Sequence, residues 1–185
     1  MDPGPDPGRT EGTEVVVRRL RQDEVREYRW IRLQALATDP TAFGSTYLQE
    51  AGFPAAVWEE RTISGATGAN RGTWVAIAPD GQWVGIVGAV SDPAGLAVVS
   101  MWVDPRHRGR RIGARLLDTL LEWARERQPE APMHLSVNPA QLDAVRLYES
   151  RGFVRTGETE PLRHTPTVRL DVMLRRRAGP APGTS

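Results

Sequence analysis

The chain has 185 residues, 39% of them hydrophobic and 25% charged, with a formal net charge of +1. That length suits one domain with a proper core and is short for two. The near-neutral balance argues against a dedicated nucleic-acid binder, for which a strongly basic domain is expected. No cysteine is present, which excludes disulfides, thiolate metal sites and a covalent cysteine intermediate. All 24 Lys+Arg residues are Arg, which excludes a lysine Schiff base or a lysine general base.

The start "MDPGPDPGRTEG" has neither the basic region nor the apolar core of a signal peptide. No run approaches the roughly 20 apolar residues of a membrane helix. A cytoplasmic protein is therefore expected, without a membrane partner. Residues 1–13 and 178–185 read as disordered tails around one domain, 14–177.

"EVVVRRL" (14–20) reads as a short strand. Asp23 is placed to cap a helix in which Val25, Tyr28, Ile31 or Arg32, Ala35 and Leu36 recur at helical spacing. A second, shorter helix fits "PAAVWEERT", with Pro54 in its first turn. "TWVAIA" and "QWVGIVGAV" form a hairpin around the turn tripeptide "PDG". "GLAVVSMWV" is a nearly continuous apolar strand, which predicts burial on both faces. Ile112, Leu116, Leu117, Leu120, Leu121 and Ala124 mark a helix ended by Pro129 and Pro132. "MHLSV" is a strand, and "AQLDAVRLYESRG" is a helix with Gly152 at a C-cap position. "GFVRTGE" and "TVRLDVML" are two more strands, joined by a loop. The order is β-α-α-β-β-β-α-β-α-β-β, an α/β or α+β domain with helices on the faces of a mixed sheet.

Between Arg106 and Arg115 lie five arginines, a histidine and two glycines, directly before that strong helix. A helix N-terminus already carries positive partial charge, so cations belong there when an anion is to be bound. Unpaired N–H groups of the first turn suit phosphate oxygens, Gly109 and Gly113 permit close approach, and Arg108, Arg110 and Arg111 add charge. The turn spells neither a Walker loop nor GxGxxG. On these residues alone, a solvated helix face, a nucleic-acid backbone patch and a diphosphate site all stay open.

The second half adds "AVRLYESRGF" (144–153) to "RGRRIGARLL" (108–117). Together and in this order, across most of residues 14–177, the two motifs closely resemble the GNAT superfamily of N-acetyltransferases. The resemblance implies a single GNAT-like domain with a mixed, mostly antiparallel sheet flanked by helices. It also implies acetyl-coenzyme A as co-substrate, with its pyrophosphate on the turn formed by Arg108, Gly109, Arg110, Arg111, Ile112, Gly113 and Ala114. Main-chain groups of Met101, Trp102 and Val103, at a bulge where that strand splays from its neighbour, would hold the pantetheine arm and donate to the thioester carbonyl. Tyr148 matches the family tyrosine that protonates the leaving thiolate.

Two departures from the family pattern stand out. Arg111 occupies a usual glycine, so the turn must accept a Cβ. Gln141 occupies a position that is often Asn, leaving Asn138 and Gln141 to share that role.

The acceptor is expected to be a primary amine of a small molecule or peptide, acetylated by direct transfer in a ternary complex. It would sit among the segments 37–53 and 156–167, with Phe43, Tyr47 and Trp102 as candidate contacts and Glu158 and Glu160 as attractors for a cationic acceptor. Trp102 reads equally as packing. The strand before the turn carries no carboxylate, so the general base is open among Glu50, Glu59, Glu60, Asp92 and a water held by Ser100. His107, His134 and His164 lack metal-ligand spacing, so no metal is expected. A non-catalytic acetyl-coenzyme A-binding module is the alternative reading. A nucleic-acid partner is not expected, and the chain is expected as a monomer or homodimer.

Overall fold

A computed structural model describes residues 14–176, so both expected tails lie outside the described residues. Seven strands form one sheet in the order β1-β2-β3-β4-β5-β7-β6. The strands are β1 (Val16–Arg19), β2 (Arg71–Ile77), β3 (Trp83–Asp92), β4 (Gly95–Val103), β5 (Met133–Val137), β6 (Val154–Leu162) and β7 (Thr165–Arg175). Every pairing is antiparallel except β4 with β5. The helices are α1 (Val25–Thr38), α2 (Tyr47–Ala51), α3 (Ala55–Thr67), α4 (Ile112–Arg127) and α5 (Leu142–Glu149).

The sheet is buried on both faces because its central strands are apolar at successive positions. One face packs Trp74, Ala76, Val84 and Val87 against Leu116, Leu117 and Leu120 of α4 and Val145 of α5. The other packs Val75, Trp83 and Ile86 against Tyr28, Ile31 and Leu36 of α1 and Trp58 of α3. The predicted α1 stripe is the buried one, with Arg32 buried beside Ile31. On α4, Trp123 replaces Leu121 among the fully buried positions.

Four local expectations are corrected. Asp23 does not cap α1: Glu24 stands at the N-cap position, and its carboxylate takes the Arg18 guanidinium and the Arg21 N–H instead. An extra helix, α2, follows a capping box in which Thr46 and Gln49 exchange hydrogen bonds. Strand β4 is not buried on both faces, since Val99 is exposed and Ser100 and Met101 are half-buried. The loop expected between the last strands is mostly strand, because β6 and β7 run to a two-residue turn at Arg163–His164. Pro161 is tolerated there because β6 is the outermost strand and need not donate outward.

Candidate active site

Strands β4 and β5 pair only at Leu96↔Met133 and Ala97↔His134, then part. The mechanical cause lies on the other edge of β4. Gly88 faces Val99 and Ile86 faces Trp102, so Ser100 and Met101 together oppose Val87 in a β-bulge. Ser100 takes φ 58°, a left-handed conformation uncommon outside glycine. The bulge turns the strand, and beyond Ala97 the edge of β4 facing β5 has no strand partner among the described residues. A cleft opens there, with the start of α4 at one end.

The arginine turn forms that end. Asp104 accepts the Arg106 N–H and two bonds from the Arg106 guanidinium. These bonds outweigh partial burial and bring the Asp104 carboxyl down to about 2. Gly109 follows at φ 75°, and Arg111 at φ 61° and ψ 12° forms the N-cap of α4 without a side-chain cap. From Gly109 to Ala114 no backbone N–H has an acceptor among the described residues. These are unpaired donors on a helix already positive at that end, flanked by exposed Arg110 and Arg111. A Cβ at Gly109 would meet nothing within 4 Å, so an anion can approach the backbone closely. At Gly113 a Cβ would come within 3.3 Å of Leu147 on α5 and 3.7 Å of Val103, so this glycine lets α4 seat against both cleft-side neighbours.

The remaining expected residues divide. The Arg108 guanidinium is turned away from the free N–H row, donating to the Val103 carbonyl at 2.9 Å and to Asp39 at 2.5 Å. Trp102 sends its indole N–H to the same Asp39 oxygen at 2.8 Å, with its ring in the second core. Met101 and Val103 pack against the first core. Asn138 spends its side-chain oxygen on the Ala140 N–H, shaping the entry to α5, and Gln141 is the N-cap there without a side-chain bond.

Tyr148 is buried against Phe153, ring centroids 5.9 Å apart. Its hydroxyl has no hydrogen-bond partner among the described residues, and burial pushes the phenol well above its ordinary range. Gly152 closes α5 in a left-handed turn, with Phe153 N–H returning to the Tyr148 carbonyl.

A second cavity, of about 350 Å³, lies beside α2 and α3 under the β6–β7 turn. Glu50, Arg61, Arg163, His164, Ser45 and Phe53 are among its walls. Glu50 is almost completely buried and bound by Arg32 in bidentate fashion, at 3.0 and 2.7 Å, with Arg61 at 3.3 Å. Burial would raise its pKa, but the Arg32 hydrogen bonds and the charges of Arg32 and Arg61 hold the carboxyl below its ordinary range. Arg32 also reaches the Ser100 hydroxyl at 3.3 Å, which joins this cavity to the β4 bulge.

Of the candidate bases, only Glu50 lines this cavity. Glu59 and Glu60 are exposed on α3, and Asp92 pairs with His134 at the far end of the β3–β4 hairpin. Phe43 is buried in the core under Arg32 and Tyr47 is half-exposed, and neither borders the cavity. Glu158 and Glu160 lie exposed on the outermost strand, away from the cavity lining. Sequence reasoning missed Arg32, Arg61 and Arg163. The signal that would have found the first two is the capping box at Thr46, which fixes α2 and aims Glu50 inward between them.

The model of the acetyltransferase (GNAT) family matches residues 19–153. The chain belongs to the GNAT acetyltransferase family. It is 37% identical over 92 residues to human N-acetyltransferase 8, covering 46% of this chain and 40% of that protein. The rat protein of that name is 40% identical over 96 residues, covering 49% and 42%. The chain thus spans less than half the length of these curated relatives.

A GNAT-family acetyltransferase from Streptococcus pneumoniae superposes with a TM-score of 0.75 at 19% identity, covering 88% of this chain and 99% of that one. The PaiA N-acetyltransferase from Thermoplasma acidophilum, in complex with coenzyme A, superposes at 0.67 with 12% identity over 88% and 99%. At such identities these two likenesses speak for the fold.

Proposed function

We propose that the chain transfers an acetyl group from acetyl-coenzyme A to a primary amine. The observation that carries this is the row of unpaired N–H groups from Gly109 to Ala114, at the end of the cleft where β4 leaves β5. A pyrophosphate fits such a row. The donors are backbone, they point off a helix N-terminus, and nothing among the described residues stands within 4 Å of a Cβ at Gly109.

Acetyl-coenzyme A supplies an activated thioester. Ile112, Gly113 and Ala114 hold the diphosphate by their N–H groups, with Arg110 and Arg111 adding charge at the rim. Main-chain groups of Met101, Trp102 and Val103, on the unpartnered edge of β4, receive the pantetheine arm and stabilise the oxyanion that develops on the carbonyl. The neutral amine attacks the carbonyl carbon, the C–S bond breaks, Tyr148 gives its proton to the departing sulfur, and the proton shed by the new amide nitrogen passes through solvent to restore the Tyr148 hydroxyl. Burial suits Tyr148 to that task, since a phenol held protonated is available as an acid at neutral pH. With no cysteine in the chain, direct transfer within a ternary complex is the simplest route. Asn138 and Gln141 shape the entry to α5 and so place Tyr148. Phe43 and Trp102 support the acceptor side from the core, and Tyr47 is exposed at the start of α2. In this reading the chain works in the cytoplasm as a monomer or homodimer.

The test is release of free thiol from acetyl-coenzyme A against a panel of amines and peptides. Release that depends on the acceptor is the expected result. Silence across the panel, with coenzyme binding shown by calorimetry, would leave a binding module in place of an enzyme.

A further inference from the structure

We propose that the acetyl acceptor is a small amino acid, an amine that carries a free carboxylate, and that Arg163 and Arg61 receive the carboxylate in the cavity between α2, α3 and the β6–β7 turn. This rests on the acetyl-transfer reading and names its substrate class.

The charge count of the cavity comes first. Its walls include Arg61, Arg163 and the single carboxylate of Glu50. Glu50 is already taken by the bidentate grip of Arg32 behind the wall. Three guanidinium groups against one carboxylate leave two positive charges, and no other Asp or Glu among the described residues lines the space. Arg163 forms no ion pair among the described residues. A cationic acceptor, which Glu158 and Glu160 would have favoured, is repelled here. An anionic group is attracted, and a planar carboxylate matches the fork of a guanidinium.

Arg61 is held in place, and Arg163 is exposed on a turn whose backbone is pinned. The Arg61 guanidinium lies over the Phe53 ring at 4.7 Å and near Trp58 at 5.9 Å, so its position is set before any ligand arrives. Arg163 runs its stem across Gly44, where an added Cβ would touch its Cδ at 3.8 Å. The turn that carries Arg163 is pinned by its neighbour. His164 donates from Nε2 to the Phe43 carbonyl at 2.9 Å. Thus the β6–β7 hairpin, although it lies at the sheet edge, brings one cation to the acceptor side.

Size and direction complete the argument. A volume of about 350 Å³ is at the small end of ligand cavities, which excludes a bulky acceptor from full enclosure. The chain Glu50–Arg32–Ser100 runs from the cavity wall to the β4 bulge, where the thioester carbonyl is placed in our reading. In this proposal the carboxylate sits at Arg163 and the amine lies on the Glu50 side of the cavity, the side that Arg32 links to the bulge.

The test uses matched series: amino acids, their carboxamides, and the amines left when the carboxylate is removed, all assayed by thiol release. The acids are expected to exceed both other series in kcat/KM by about 10- to 100-fold, the range for a charge-assisted hydrogen bond. Arg163→Ala should raise KM for the acids about 10-fold, so that discrimination between acid and carboxamide collapses, and Arg163→Lys should recover part of it. Arg61 also neutralises Glu50, so Arg163 is the cleaner site to change. As a readout apart from turnover, calorimetry of an N-acetylated amino acid in the presence of coenzyme A should show binding that Arg163→Ala weakens. If carboxamides or simple amines match the acids, the proposal falls and the transferase reading stands. If Arg163→Ala affects all three series alike, it also falls. If no acceptor of any series releases thiol while coenzyme binds, the transferase reading fails and takes the proposal with it.

Discussion

At Tyr148 and Arg111 the demands of the fold and of the site can be told apart. The Tyr148 ring is buried, but its hydroxyl makes no hydrogen bond among the described residues and is not among the buried polar atoms without a partner, so a phenylalanine there breaks no internal contact. Tyr148→Phe is therefore expected to leave stability unchanged, to keep coenzyme affinity, and to lower kcat by about 10²- to 10⁴-fold, the range for a general acid. Turnover matching the parent across pH would reduce Tyr148 to packing. Arg111 pays for a left-handed conformation that costs a residue with a Cβ about 1–2 kcal/mol. Glycine removes that strain but loses about 0.5–1 kcal/mol through the freer unfolded chain. Arg111→Gly should then stabilise the fold by a few tenths to about 1 kcal/mol in urea unfolding. Coenzyme should bind more weakly at low salt, with the difference shrinking at high salt, because a guanidinium at the rim is lost. A destabilised variant would contradict the strain argument.

At the scale of elements, three helices meet on one carboxylate. Glu50 from α2 is gripped by Arg32 of α1 and Arg61 of α3, with Arg32 continuing to Ser100 of β4. Removing one partner of a buried pair leaves the other charge uncompensated, typically at 3–5 kcal/mol. Because Arg61 keeps about a quarter of its side chain exposed, we expect Glu50→Ala to cost about 3 kcal/mol, read as a shift in the urea midpoint. A loss below about 1 kcal/mol would mean that the arginines find water and that the cluster does not bind the helices together. This cluster also marks where the sequence was hardest to read. Helices α1 and α4 announced themselves because their buried faces repeat over several turns, and the β2–β3 hairpin because its turn tripeptide separates two apolar runs. The arginine turn and the α5–β6 junction were legible for a different reason, as motifs whose glycines and charges serve local geometry. Helix α2 has only five residues, too short for periodicity to register. The outer end of the β6–β7 hairpin is rich in polar residues and proline, so the sequence shows two strands there but reads their connection as a loop. Strand β4 looked fully buried, since nothing in its own residues records that β5 leaves it after two pairs. The acceptor cavity lies where those uncertain elements meet, and for that reason its arginines were missed.

For the molecule as a whole, arginine supplies every strong cation, and arginines stay charged at any pH that leaves the fold intact. Acid is therefore the direction in which the ion pairs fail. Asp104 is held at about 2 by its bonds from Arg106. Glu24 and Glu50 resist burial, which would raise them, and stay below their ordinary range through hydrogen bonds from Arg18 and Arg32. A carboxyl whose folded pKa lies below its unfolded value contributes stability that is complete above the unfolded pKa and lost as pH falls through the folded one. Stability should accordingly be flat near neutrality and decline from about pH 4 toward pH 2, measured as the urea midpoint at steps across that window. Asp104→Asn separates one contributor from the rest. It should be less stable than the parent at pH 6, since Arg106 loses its partner, and should close part of that gap by pH 2.5, where the parent's Asp104 is itself becoming protonated. Because the pair sits at the entry to the arginine turn, the same variant should weaken coenzyme binding at pH 6. A gap that stays constant from pH 6 to pH 2.5 would show that the charge of Asp104 contributes nothing to the stability of the turn.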